Sequence, residues 1–342
     1  MGRPTIRHLA EAANVSTATI NRVLSGHAGV RQVTRERVRD AAERIGFYGL
    51  GAIEARIAVV RPRFRFGILL LQPHRRFYQM VAEALRTAAG TFPDADIELR
   101  IEHLEDLSPQ STADRALALA EDCQAICITS AVHPIVTGAV ETIQARGIPV
   151  FALISQLAAT GQVNYVGLDN WKVGRTAAWA IEHICKAPGK LGILMGNHRY
   201  RSQEMNESGF RSYFREYDPD FVLLEPLSTF ESSAVAQEMT EGLLHDHPDL
   251  AGLYVAGGGI SGVLAALKNS DRARKLVVVG YELMDNTRAA LLDGRLTLAI
   301  AHPLRRIADS AINGMTRAVA APGQTVNYTS IVPFELYTRE NI

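Results

Sequence analysis

Residues 5–47, TIRHLAEAANVSTATINRVLSGHAGVRQVTRERVRDAAERIGF, read as three short helices. Ile6, Leu9, Ala10 and Ala13 recur at i, i+3, i+4 and i+7, which makes one apolar stripe on a helix. Asn14 breaks that run and Val15 can turn inward. Ser16 is a good N-cap for a second helix, since its hydroxyl can accept from the unpaired amides of the first turn. The second helix sets Ile20, Val23 and Leu24 on one side and ends at Ser25 and Gly26. The third runs from about Gln32 to Ile45, with Val38, Ala41, Ala42 and Ile45 inward and Gly46 closing it. Two helices joined by a short turn and buttressed by a third form a helix-turn-helix arrangement.

The outer side of the second helix presents Thr17, Ala18, Asn21 and Arg22, which are sized to touch base edges in a major groove. Arg bonds guanine and Asn bonds adenine through paired hydrogen bonds, while Ala or a Thr methyl meets the thymine methyl. Arg7, Arg31, Thr34 and Arg35 are placed for phosphates, which position a protein without reading sequence. Thr5 and Ser16, at the helix starts, join them as expected DNA contacts. Charge agrees: residues 1–65 hold 12 Arg and no Lys against 5 acidic residues, whereas the remainder holds 24 basic and 31 acidic residues. A basic head on an acidic body points to a polyanion partner. The competing reading is a three-helix protein-interaction domain whose arginines only solvate exposed faces.

The same run resembles the headpiece of the lac-repressor (LacI/GalR) family of bacterial transcription regulators. It carries A-x-x-A-x-V-S-x-x-T-I-x-R-V-L from Ala10 to Leu24, then T-R-x-R-V from Thr34 and a closing Gly46-Phe47. The resemblance implies that Thr17 and Ala18 hold the two main base-reading positions, with Asn21 and Arg22 beside them. It also implies a helix-turn-helix domain over 1–48 and a hinge over 49–65. In the family that hinge becomes a short helix on the operator and wedges a leucine into the minor groove. Here Arg56 stands at the leucine position with Ile57 next to it, and Gly49-Leu50 replace the usual Pro-Asn. Either Ile57 is the wedge after a one-residue shift, or Arg56 enters the groove without a wedge, or the segment is a passive tether.

With 47% apolar and 21% charged residues, the 342-residue chain can bury a sizeable core. No apolar run approaches the roughly 20 residues a membrane helix needs. The opening MGRPTIRHLAE lacks the apolar core of a signal peptide, so a cytoplasmic protein that is nucleoid-associated when operator-bound, without a membrane partner, is expected. Three cysteines make no disulfide framework, and nothing near Cys123 and Cys127 completes a metal set. From Phe66 onward the runs FGILLL, DIELRI, AICIT, PVFALI, YVGL, KLGILM, LAGLYVA and KLVVVGYEL alternate with helical stretches such as 77–89, 111–121, 135–146 and 173–185. That alternation predicts an α/β body of doubly wound parallel sheets. The small, polar stretch 158–163 suggests a division into two lobes, lobe one over about 66–160 and 295–322 and lobe two over about 161–294 and 323–342. A ligand crevice is expected outside the strand carboxyl ends.

Across almost all of 66–342 the chain resembles the two-lobed, periplasmic-binding-protein-like (type I) core of the same regulators, in VGLDNWKVGRTAA, ESGFR, VVVGYE and LAIAHP. The resemblance implies effector contacts at Gln72, Phe77, Tyr78, Ser130 and Gln156 in lobe one. In lobe two it implies Glu204, Asn206, Gly259, Glu282 and His302. Aromatic faces with amides and carboxylates suit a sugar. Relatives often carry Arg at the 204 and 206 positions and Asp at the 156 and 282 positions. Loss of both arginines favours a neutral sugar or polyol over an acid or phosphate, although Arg199 and Arg201 stand nearby.

One motif points elsewhere. Residues 257–262, GGGISG, follow a strand and open a helix, and Glu282 comes after the next strand. That is the dinucleotide-binding fingerprint, in which glycines and a helix N-terminus cradle a pyrophosphate. No catalytic constellation accompanies it, and the glycines can instead keep a crevice floor low. Neither G-x-S-x-G nor a P-loop occurs. The expectation is therefore a non-enzymatic, cofactor-free, homodimeric regulator, acting as a repressor on a palindromic operator under control of a small sugar or polyol. The alternatives are an NAD(P)-binding oxidoreductase and a sugar sensor whose head binds a protein partner.

Overall fold

In the computed structural model, which describes residues 3–25, 30–57, 61–217, 220–321 and 327–342, Thr5 starts α1 (Ile6–Ala13) by accepting from the His8 amide. Asn14 takes a left-handed φ of 51° at its end. Ser16 then caps α2 (Thr17–Leu24), its Oγ accepting from the Thr19 amide at 3.2 Å. Gly26, expected to close α2, lies outside the described residues. With α3 (Gln32–Arg44), the apolar stripes meet as expected: Leu9, Ala10, Ala13, Ile20, Val23, Val38, Ala41 and Ala42 are buried together, edged by Ile6, Leu24 and Ile45.

The segment expected as a hinge holds a short helix of the kind the resemblance implies. It contains α4 (Leu50–Ile57), whose Ile53 is fully buried beside Phe47 and Leu50 in the same core. The head is thus a four-helix unit that continues past residue 48. Leu50, Ile53 and Ile57 carry the apolar spacing, and Gly and Arg neighbours obscure it in the sequence. The chain divides into two compact units, Met1–Phe64 with Ala89–Glu98 and Arg65–Ala88 with Leu99–Ile342.

The body begins with β1 (Arg63–Leu71), α5 (Arg76–Gly90), β2 (Asp96–Leu104), α6 (Pro109–Asp122), β3 (Ala125–Ile128), α7 (Pro134–Ala145), β4 (Val150–Leu153) and β5 (Asn164–Gly167). It continues through α8 (Asn170–Ile184), β6 (Lys190–Met195), α9 (Arg201–Tyr217), β7 (Val222–Leu223), β8 (Leu227–Ser228), α10 (Ser233–Asp246) and β9 (Leu250–Val255). Then come α11 (Ile260–Lys268), β10 (Val277–Tyr281), α12 (Asp285–Asp293), β11 (Leu298–Ala301), α13 (Leu304–Ala320), β12 (Thr329–Ile331) and β13 (Glu335–Tyr337). Two sheets result, ordered β12-β5-β4-β3-β1-β2 and β13-β11-β10-β9-β6-β7, with β8 also on β6. The β1–β3–β4–β5–β12 pairs are parallel, as are the pairs among β6 to β11, whereas β13 runs antiparallel to β11. Strand order reverses about β1 in one sheet and about β6 in the other, and residues that follow both strands line one cavity.

Lobe boundaries differ from the expectation. Strand β5 pairs with β4, Phe151 opposite Asn164, so the chain leaves lobe one after Gly167 rather than near 160. Strand β11 pairs with β10, so lobe two extends to Ala301 rather than 294. Strand β12 sits beside β5 in lobe one, against the expected place of 323–342 wholly in lobe two. The expected break at 322–323 lies outside the described residues. A surface loop and a lobe crossing share the same polar composition, and only the non-local pairing tells them apart.

Burial decides thiol chemistry. Cys127 lies inside β3, where desolvation pushes its thiol up to about 12, and half-buried Cys185 is pushed up to about 11. At pH 8 both therefore stay protonated, and the thiolate is the reactive form. A disulfide reagent at that pH should modify neither within minutes in the native protein and both once urea unfolds it. Rapid native labelling of Cys185 would contradict this.

Candidate functional site

The head offers one face. Thr17, Ala18, Asn21 and Arg22 are all exposed on α2, while Ile20 and Val23 on the opposite side hold the helix to its core. Ser16 is engaged in capping, with its hydroxyl 2.9 Å from that of Thr19. Thr5 caps α1, and Arg7 makes an exposed 3.3 Å ion pair with Glu11. Arg31 is exposed at the start of α3, Thr34 is half-buried, and the Arg35 Nε donates to the Val30 carbonyl at 3.1 Å. The side chains of Arg56 and Ile57, the two candidate wedges, lie outside what is described.

In the body, the segments after β1, β3, β4, β5, β6, β8, β9, β10 and β11 converge on a cavity of about 870 Å³. That falls within the usual range for small-molecule sites. Of the expected effector contacts, Gln72, Phe77, Tyr78, Asn206, Gly259, Glu282 and His302 line it. Phe77 and Tyr281 flank the His302 ring, with centroids 5.5 and 5.9 Å away. The Glu282 carboxylate accepts from His302 twice, from the backbone amide at 3.2 Å and from Nδ1. A carboxylate only accepts, so Nδ1 carries the proton. Nε2 is buried and has no protein partner. Asn206 is similar: its Nδ2 donates to the Ala256 carbonyl at 3.3 Å, while its buried Oδ1 has none. Tyr281, also on the cavity wall, has a buried hydroxyl without a protein partner, so donor and acceptor capacity are both left unmatched here.

Backbone strain concentrates at the same place. Five non-glycine residues among those described have positive φ, and all but Asn14 (Ile154, Phe230, Glu231 and Glu282) line the cavity. Such conformations persist only where the surroundings enforce them, and they gather at ligand sites.

Three expected contacts are corrected. Ser130 does not line the cavity; its hydroxyl donates to the Ala131 carbonyl, and Thr129 lines the wall instead. Gln156 is exposed, because the left-handed Ile154 turns Ser155 toward the cavity. Glu204 faces outward on α9 and pairs with Arg201 at 3.2 Å, while Ser202, Gln203 and Asn206 take the inner side. Arg199 and Arg201 are likewise off the wall.

Sequence reading missed Arg75, Tyr200, Gln203 and Glu231. Tyr200 comes from lobe two yet packs into the core of lobe one. Burial, reinforced by the charge of Glu231, holds its hydroxyl above the ordinary phenol range. Around it the Val132 amide donates to the Arg199 carbonyl at 2.8 Å, and the Ser202 amide to the Ser155 hydroxyl at 3.3 Å, joining the lobes. The glycine loop 257–259 is filled by protein: a Cβ on Gly257 would fall 2.4 Å from the Gln203 Oε1, and one on Gly258 1.7 Å from the Glu231 Oε2. The space in which a dinucleotide fingerprint would cradle phosphate holds these two side chains instead.

Residues 70–324 match the family described as periplasmic binding protein domain, and residues 5–49 match the family of bacterial regulatory proteins, lacI family. The HTH-type transcriptional regulator GntR of Pseudomonas aeruginosa is 24% identical over 361 residues, covering 99% of this chain and 96% of the relative. A D-apiose import binding protein of Paraburkholderia graminis is 25% identical over 216 residues, 61% of this chain and 67% of the relative. Among solved structures, an Agrobacterium vitis solute-binding protein bound with α-D-tagatopyranose superposes with a TM-score of 0.74 at 18% identity, over 81% of this chain and 95% of the other. A periplasmic solute-binding protein of Actinobacillus succinogenes with bound D-allose gives 0.71 at 20% identity, over 81% and 98%. These structures share the fold of the body.

Proposed function

This chain belongs to the periplasmic binding protein domain family and carries a lacI-family DNA-binding head, which makes it a transcriptional regulator, and from that premise we propose a homodimeric repressor released or tightened by a neutral monosaccharide or polyol in the cleft. Two heads grip the halves of a near-palindromic operator about one helical turn apart, with Thr17, Ala18, Asn21 and Arg22 at base edges and Arg7 and Arg31 at phosphates. The outer face of α2 carries this reading: four side chains suited to base edges stand exposed on a helix whose other side is core.

The effector half is supported by three partnerless polar atoms on cavity-lining residues, Asn206 Oδ1, the Tyr281 hydroxyl and His302 Nε2, which sugar hydroxyls, able both to donate and to accept, satisfy. The neutral sugars bound to structural neighbours agree with that chemistry. A ligand that favours one arrangement of the cleft shifts operator affinity, and DNA shifts ligand affinity equally, typically by about 1–3 kcal/mol.

Selection from random duplexes should enrich one palindrome, bound with steep salt dependence. Arg22→Ala should weaken that site by about 1–3 kcal/mol and relax preference at one base position. Enrichment of no palindrome would sink the DNA reading. A uniform loss across all sequences would reassign Arg22 to phosphate.

A further inference from the structure

The cavity wall carries Arg and His side chains, yet each already has an acid partner within the protein. Arg76 pairs with Glu83 at 3.4 Å and His74 with Glu105 at 3.8 Å, both on the surface. His302 pairs with Glu282, and Arg75 faces Glu231 across the cleft at 3.6 Å. Arg75 belongs to lobe one and Glu231 to lobe two, and Glu231 is only 8% exposed.

Glu231 is firmly seated. Its backbone is left-handed, with a φ of 59°. The Gln203 Nε2 donates to its Oε1 at 2.8 Å, while the Gly196 and Asn197 amides donate to the Gln203 Oε1 at 2.7 and 3.0 Å. The carboxylate lies flat against two glycines, since a Cβ on Gly196 or on Gly258 would sit 1.7 Å from one of its oxygens. The glycine motif that imitates a dinucleotide site thus makes room for a buried carboxylate.

We propose that Glu231 sets the charge specificity of the cavity, occupying Arg75 across the cleft so that neutral polyols enter and sugar acids or phosphates are rejected. An anionic ligand would have to break that pair before Arg75 could receive it. The inference rests on reading the cavity as the effector site.

The test is calorimetric titration of the full chain with neutral aldoses and alditols and with the aldonates and uronates of the same carbon skeletons. Wild type should bind a neutral member and none of the acids. Glu231→Gln keeps the acceptor for Gln203 and frees Arg75, so it should gain about ten- to a hundredfold for the matching acid, by the worth of a charge-assisted hydrogen bond. Adding Arg75→Gln should remove that gain. Arg75→Gln alone leaves Glu231 unpaired and should favour the amino sugar of the same skeleton about tenfold over its parent, an independent reading should Glu231→Gln fold poorly. Neutral binding that persists without either gain overturns the inference, as does wild type taking an acid as well as its neutral parent. Silence of the wild type toward the entire panel overturns the effector reading itself.

Discussion

Gly174→Ala should destabilise the body by about 3 kcal/mol or more, lowering its Tm by about 6–12 °C, while Gly138→Ala should leave it unchanged or slightly raised. Both glycines are helical, Gly174 on α8 and Gly138 on α7. A methyl on Gly138 meets nothing within 4 Å. A methyl on Gly174 would land 1.9 Å from the Asn206 carbonyl oxygen, and one on Gly209 of α9 would land 2.3 Å from the Trp171 carbonyl oxygen. These obstacles are backbone, so no rotamer change relieves them and α8 and α9 must move apart. Both helices bury apolar faces in lobe two, α8 through Val173, Ala177, Ala178 and Ile181 and α9 through Phe210, which stacks on Tyr254 at 4.8 Å. Separating them opens that packing and shifts Asn206 at the cavity. Thermal and urea unfolding of the two variants measures the contrast, and equal behaviour would refute the close crossing.

What could be read beforehand was local. The head's caps and apolar spacing lie within a turn or two of each other, so Ser16, Asn14 and the Leu9–Ile20–Val38 core follow from the sequence. Helix α4 follows from the resemblance and not from the pattern, where Gly49, Gly51 and Arg56 interrupt the spacing of Leu50, Ile53 and Ile57, and the place of Ile53 in the head's core depends on Phe47. The lobe boundaries depend on β5 choosing β4 and β12 choosing β5, and nothing in YVG or TSI announces those partners. At the cavity, family resemblance located Asn206, Glu282 and His302, but an offset of one residue separates Ser130 from Thr129 and Gln156 from Ser155. Glu231 sits in an aperiodic polar loop, and its role depends on Gly196, Gln203 and Gly258, which are distant in sequence. The glycine triplet was visible, yet its purpose required knowing which side chain lies on it.

Replacing Glu282 by Leu should reduce affinity for the effector about a hundredfold or more while operator binding persists, giving a regulator that holds DNA but no longer answers the sugar. Glu282 is buried, and its left-handed backbone is pinned by Thr287, whose hydroxyl donates to its carbonyl at 2.6 Å. Its two oxygens receive the His302 amide and Nδ1. Leucine leaves both donors buried and unmatched, at about 1–3 kcal/mol each. It also frees the imidazole at the cavity wall, so the loss falls on binding as well as stability. Glu282→Gln retains one acceptor and should lose only about tenfold. Calorimetric titration with the sugar and gel-shift titration with operator DNA separate the two functions. An unchanged dissociation constant in the leucine variant would remove Glu282 and His302 from the site. Equal loss of operator binding would instead mean that the pair maintains the fold of the body rather than its recognition of a ligand.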